Sequence, residues 1–496
     1  MTAPAAPPSS PPDSPATSPL RRSLTVWQAV GLSVALMAPS MAVNINPQAA
    51  GSLVGRAVPL AFLLSAVGVL LVAYGFVRLC QYYRHAGSVY AFVGATLGPR
   101  TGVVAGWGLV GTYLAYGVTT SSVVGIFGTS FMKTAGWWAA PPDWAPFLIA
   151  GIVLVLCWLL TAVPARRGTN VLLAVEGATV ALILAVSVTV LVKLLAGHAP
   201  GGQRFTLSVF HVPAGTQTSA LFLGIVFGFL SFAGFEASST LGEETRRPHR
   251  DIPRAIIGTA VFGGIFFTVV TAIEMMGFGA GSKGVAAFAG SSSLLGDLGS
   301  AYVGAWVGNA ITLGATVSAF GCTLACTVGS SRLLFALSRD AFGDRGLGRA
   351  SRGGTPARAG LLAAAAMGAV LLLCTQAFHA KAEDTFIWFG TIGTLILLVA
   401  YALTTVGAIR LVFFQRRMHV PPWQIVIPLA ALLLIGYTLY RNVIPYPAGG
   451  PPRWFPVVAG AWLLAAVLAV LASPALAERL GRRLAEAEGL TAGKGD

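Results

Sequence analysis

Apolar residues dominate long stretches of this chain, and polar residues collect in the short intervals between them. A helix needs about 20 apolar residues to cross the hydrocarbon core of a bilayer. Twelve segments meet that length: about 25–50, 57–80, 101–133, 146–164, 169–195, 218–242, 252–279, 297–337, 357–378, 384–412, 422–441 and 454–473. Spans one to five and six to ten match in order and length, with the third of each set the longest. Each set has five spans, an odd number, so the second must start on the opposite side of the membrane from the first. Two halves related by inversion place a solute site near the midplane, between their first helices. The pattern predicts an all-α integral membrane protein of twelve transmembrane helices, a 5+5 inverted repeat over 21–195 and 218–412. Two further helices follow in 422–473.

Composition agrees. The 496 residues are 55% hydrophobic and 10% charged, with a mean hydropathy of +0.76, which calls for lipid as the solvent. The 60 glycines suit close helix packing and helix breaks. Residues 1–20 hold seven prolines among Ser, Ala and Thr, a composition for a disordered tail; 474–496 is read as a second cytoplasmic tail. Arg21 and Arg22 precede an apolar stretch that runs on into a full span, so no signal cleavage is expected.

The net charge of +15 does not point to nucleic acid, because the basic residues lie in short runs between apolar spans. With the N-terminus inside, 24 Lys and Arg fall on the cytoplasmic side, Arg166, Arg167 and the 246–254 cluster among them. Eight fall outside: Arg56, Lys133, Lys193, Arg204, Lys283, Lys381, Arg441 and Arg453. That asymmetry predicts a protein of the cell membrane with both termini cytoplasmic and basic loops against anionic lipid. Trp137, Trp138, Trp144 and Trp454 stand near span ends, as an interfacial belt requires. The five cysteines lie inside apolar segments without metal-ligand spacing, so no metal and no cofactor is expected. Gly106, Gly108 and Gly111 satisfy GxGxxG inside a span that follows no strand, so helix packing is the expectation rather than nucleotide binding.

Two spans contain weak points at matching positions of the two halves. In span one, Pro39 removes a backbone donor at mid-span and clashes with the preceding turn, and Ser40, Asn44, Asn46 and Pro47 follow. In span six, Gly234 and Glu236 lie near mid-depth. Broken helices leave bare N–H groups on one fragment and bare C=O groups on the other. The first set holds a carboxylate, the second an ammonium, and a site with both poles suits an amino acid or related amine.

The stretch from Phe232 through Gly234, Glu243, Glu244, Arg246, Arg247, Pro248 and Arg254 to Ile256 resembles the sixth-span signature of the amino acid–polyamine–organocation permeases. The run Ser331–Asp340, with Thr355, Pro356, Ala357 and Arg358 after it, is similar to that family's end of span eight and start of span nine. The resemblance covers roughly 20–475 and implies the fold shared with leucine transporters, with substrate between spans one, three, six, eight and ten. It implies that Pro39, Ser40, Met41 and Ala42 supply backbone to a substrate carboxylate. Phe232, Ala233, Gly234 and Phe235 match the break that receives the amine, with Phe232 as a gate. The family's span-one break is usually glycine-rich, of the form GxGxG, whereas this chain has Ala-Pro-Ser-Met-Ala, so solute size does not carry over.

Three acids lie within spans, where charge is expensive and usually functional. Glu176 falls where proton-coupled and sodium-independent relatives often carry a lysine beside the span-one break. A carboxyl there can bind and release a proton, which makes the proton, rather than sodium, the expected coupling ion. Glu236 occupies a position that is acidic in many relatives whatever they carry. Glu274, about five residues from the end of span seven, is expected to snorkel to the surface. Glu243, Glu244, Arg246 and Arg247 read as a solvated loop or inner gate. The function expected is a secondary transporter of an amino acid or amine working by alternating access. An exchanger is the alternative within that class, and a solute sensor that has lost transport is the alternative outside it. No HExxH, GxSxG or Walker A pattern supports an enzyme.

Overall fold

The computed structural model describes residues 25–83, 89–161, 168–241, 245, 247–342, 346–348, 356–447 and 449–487. The tail at 1–20, Arg166, Arg167, Glu243, Glu244 and Arg246 lie outside them. Seventeen α-helices are present among the described residues: α1 Val26–Met37, α2 Pro39–Val54, α3 Val58–Tyr82, α4 Val89–Leu97, α5 Pro99–Thr134, α6 Ala145–Thr161, α7 Gly168–Leu195, α8 Thr218–Phe232, α9 Pro248–Phe278, α10 Ser282–Ala289, α11 Leu294–Tyr302, α12 Ala305–Phe342, α13 Ala357–Gln376, α14 Ala382–Ile409, α15 Val426–Val443, α16 Trp454–Ala472 and α17 Pro474–Ala487.

Ten helical runs among the described residues are long and apolar enough to cross a membrane. The first, Ala29–Tyr82, takes in the first two predicted segments, and the fourth segment appears as the shorter apolar helix Ala145–Thr161. The eighth predicted segment, 297–337, is not one helix. It divides into α11 and α12 at Val303 and Gly304. Residues 474–487, read as tail, fold as α17, which packs on α5 and α4, with Arg100 and Glu478 3.3 Å apart.

Span one is broken where proline requires it. Ala38 sits in the left-handed region (φ 46°, ψ 57°) and Pro39 takes the first turn of α2, where its missing N–H costs nothing. The strain on Ala38, roughly 1–2 kcal/mol, is held by its complete burial. Span six ends its first fragment at Phe232. Gly234 then turns the chain at φ 105°, and a 3-10 turn, Ala237–Leu241, continues from it.

The two breaks pack against each other. A Cβ at Gly234 would lie 3.0 Å from the Leu36 Cβ and 3.1 Å from its carbonyl carbon, so glycine is required both by conformation and by the approach of α1. Ser33 Oγ accepts from the Ser238 N–H at 2.9 Å, a second tie between the broken segments. Around them α3 runs along α9 and α8, while α5 lies between α12 and α14. Gly106 and Gly108 in α5 face Tyr90 and Leu463, and Gly111 packs under Trp462, so this glycine run serves helix packing. Leu148, Ile152 and Val155 on α6, Val188 and Val192 on α7, and Leu464, Leu468 and Leu471 on α16 are exposed. An apolar exterior of this extent is stable only against lipid.

Candidate solute site at the paired helix breaks

The first amides of α2 have no partner within their own helix. They are met instead by side chains from two other helices. The Ser40 N–H donates to Glu176 Oε1 at 2.8 Å, from α7. The Met41 N–H approaches Ser318 Oγ at 3.4 Å, from α12, and the Ala42 N–H returns to the Ala38 carbonyl at 2.8 Å. Pro39 offers no N–H. Of the four residues matched to a carboxylate-binding backbone, Ser40 therefore meets a carboxylate already, and it belongs to the chain itself. A helix N-terminus favours an anion, and Glu176 is only 7% exposed, so the contact is made out of water.

The remaining walls are joined by single polar contacts. Cys322 of α12 lies 3.9 Å from the Leu36 carbonyl, and Thr323 donates to Thr120 of α5 at 2.8 Å. Tyr116 of α5 meets Thr394 of α14 at 2.9 Å. Tyr401 of α14 donates to Glu236 Oε2 at 2.9 Å, which closes the ring at the span-six break. α1 with α2, α5, the α8 break, α12 and α14 thus surround one polar centre in an apolar body.

The second set of matched residues is divided between two environments. Phe232 is buried, its ring 5.2 Å from Phe267 of α9, and it fills the space above Gly263. Phe235 is buried in a cluster with Phe76 and Tyr401, each ring centroid 5.7 Å away. Ala233 and Gly234 between them are part-buried. They carry the turn that leaves the end of α8 beside α1.

Several contacts here are invisible in the sequence. Ser318, Tyr401 and Thr394 are ordinary polar residues of apolar spans, and nothing in their spacing marks them. Asn44 and Gln48, one turn apart on α2, reach the helices beyond the site. Asn44 Oδ1 accepts from the Leu295 N–H at 2.9 Å and from Ser293 Oγ at 3.2 Å, while Gln48 Nε2 donates to the Ala289 carbonyl at 2.7 Å. Glu274 does not snorkel. It is 0% exposed, because α10 and α11 cover the end of α9, with Phe278 against Phe288 at 5.7 Å. All five cysteines are free, and no group of three or more metal-ligating side chains occurs among the described residues.

A multi-pass helical body with an apolar exterior and paired helix breaks around a buried polar centre defines a membrane permease. The amino acid permease family profile matches residues 32–472, and the chain belongs to that family. It is 24% identical over 357 residues to the branched-chain amino acid permease BcaP of Lactococcus lactis, covering 67% of this chain and 72% of the relative. It is 25% identical over 324 residues to the low-affinity putrescine importer PlaP of Escherichia coli, covering 64% and 67%. An uncharacterized transporter of Mycobacterium tuberculosis is 28% identical over 364 residues, covering 72% and 73%.

Proposed function

We propose that this permease carries an amino acid or a related amine by alternating access and that Glu176 couples the movement to protons. The observation that carries the reading is the hydrogen bond from the Ser40 N–H to Glu176. A solute carboxylate seeking the start of α2 competes with Glu176 for the same amide. Once displaced, the Glu176 carboxyl has lost its donor in a medium where a bare charge is expensive, and it takes up a proton. When the solute leaves, the proton is released and Glu176 returns to the helix. The α8 break, from Phe232 to Phe235, offers the opposite pole to an ammonium group. The relatives' names, a branched-chain amino acid permease and a putrescine importer, support this range of solutes. The reading includes twelve crossings, an inverted repeat over 21–195 and 218–412, a cell-membrane location and cytoplasmic termini, which the charge asymmetry supports.

The test is uptake and counterflow of labelled leucine and putrescine in proteoliposomes under an imposed pH gradient. Glu176→Gln should lose gradient-driven accumulation by about tenfold or more while solute counterflow persists, since exchange does not require proton release. Accumulation by the Gln variant at the wild-type level contradicts the assignment.

A further inference from the structure

Glu274 of α9 takes no part in the scheme above, and its surroundings do not satisfy it. Among the described residues neither carboxyl oxygen has a hydrogen-bond partner, and the residue is 0% exposed. A buried carboxylate left in that state is strongly destabilising, and protonation alone leaves a buried O–H with nothing to accept it. The nearby oxygens share the problem. Thr271 Oγ1, nearly one turn earlier on α9, is buried without a partner. So is Ser187 Oγ on α7.

The register of the helices brings these groups to one level. Gly277 of α9 faces Val190 of α7, a Cβ at 277 lying 3.1 Å from the Val190 Cγ1. Ser187 and Glu274 each precede those contact residues by three positions, so they stand opposite one another one turn along the α7–α9 seam. The third wall is α2, which packs on both helices. Its Gln48 lies one turn before Gly51, against which Phe288 packs, and Phe288 in turn meets Phe278, one turn beyond Glu274. Gln48 spends its Nε2 on the Ala289 carbonyl and leaves Oε1 without a partner.

We propose that Glu274, Thr271, Ser187 and the Gln48 carbonyl oxygen form a binding site for a monovalent alkali cation. The donor set consists of oxygen alone, which suits a hard cation. Its single negative charge balances a charge of +1 and leaves nothing over, whereas a divalent ion leaves a net charge inside the membrane. The other charged groups of the packed helices are engaged or distant. Lys193 donates to the Tyr302 carbonyl, and Asp297 accepts from Ser291 at 2.6 Å. Tyr302 donates its hydroxyl to the Gly277 carbonyl. Glu176 lies eleven residues before Ser187 on α7, about 16 Å along the axis, so the site is separate from the break. It ties α2, whose first turn meets Glu176 in the proposed cycle, to α7 and α9, and to that extent rests on the same reading.

The experiment is thermal unfolding of the purified chain in lipid nanodiscs at fixed pH and ionic strength, in sodium, potassium or choline chloride. Sodium or potassium should raise the midpoint saturably by at least about 2 °C over choline. Glu274→Gln, isosteric and neutral, should lose that shift. Thr271→Val should raise the cation concentration needed for half the shift several-fold, which keeps the test usable if the Gln variant is poorly folded. Glu176→Gln should keep the wild-type response, so failure of the proton-coupling assignment leaves this result unchanged. Equal midpoints in the three salts, with pH alone moving them, mean that a proton is the occupant and overturn the proposal. Retention of the shift by Glu274→Gln, or its loss in Glu176→Gln, places the ion elsewhere and overturns it too.

Discussion

At the residue scale, Gly234 and Ala38 carry the geometry of the site. Gly234→Ala must hold a side chain at φ 105° and press its Cβ to 3.0 Å from Leu36. The expected cost is about 1 kcal/mol or more, read as a lower unfolding midpoint in nanodiscs at unchanged expression. Pro39 and Gly234 were legible in the sequence because proline and glycine are statements about the backbone, and the backbone is what breaks. Glu176 was legible as a lone acid in an apolar span. Its partner was not, since a main-chain N–H leaves no mark in a sequence until the helix that bears it is seen to start there. Glu274 was misread because depth was counted from the end of its own helix. Two short helices cover that end and bury the carboxyl.

At the scale of elements, α2 is tied at one end to Glu176 and at the other to the helices beyond the site. Asn44 caps α11 from outside its own chain segment, accepting from the Leu295 N–H and from Ser293 Oγ, and Thr312 of α12 joins Ser293 at 3.1 Å. An N-cap side chain contributes about 1 kcal/mol. Asn44→Ala should therefore loosen α11 selectively, with faster hydrogen exchange across 294–302 and little change in α5. Equal exchange in both proteins means that the cap does not hold α11. The split between α11 and α12 was hidden because both sides are apolar and the connection is two residues long. The α17 helix was hidden for the opposite reason. It is short and charged, and only its packing on α5 distinguishes it from a solvated tail.

At the scale of the molecule, the exposed leucines and valines of α6, α7 and α16 and the basic residues between spans sort the surface into a lipid belt and two aqueous faces. With the termini inside, a cysteine introduced at Gln203 should react with an impermeant thiol reagent from outside in intact cells, and one at His249 should not. The reverse pattern overturns the orientation. The overall class was readable from the lengths of the apolar segments because a bilayer imposes one length on every crossing helix. The ring of contacts through Ser318, Thr323, Tyr116 and Tyr401 was not, because such pairs form only after distant spans have packed.

If the two breaks together form one solute site, a bound solute must change the stability of the purified protein. Thermal unfolding is measured for wild type and Gly234→Leu against a panel of amino acids and amines at millimolar concentration. A bound solute stabilises the folded state by mass action. At least one member of the panel should raise the wild-type midpoint in a saturable way, and the same compound should leave Gly234→Leu unmoved although that variant still inserts and unfolds cooperatively. A shift of equal size and concentration dependence in Gly234→Leu places the solute away from the breaks and contradicts the account.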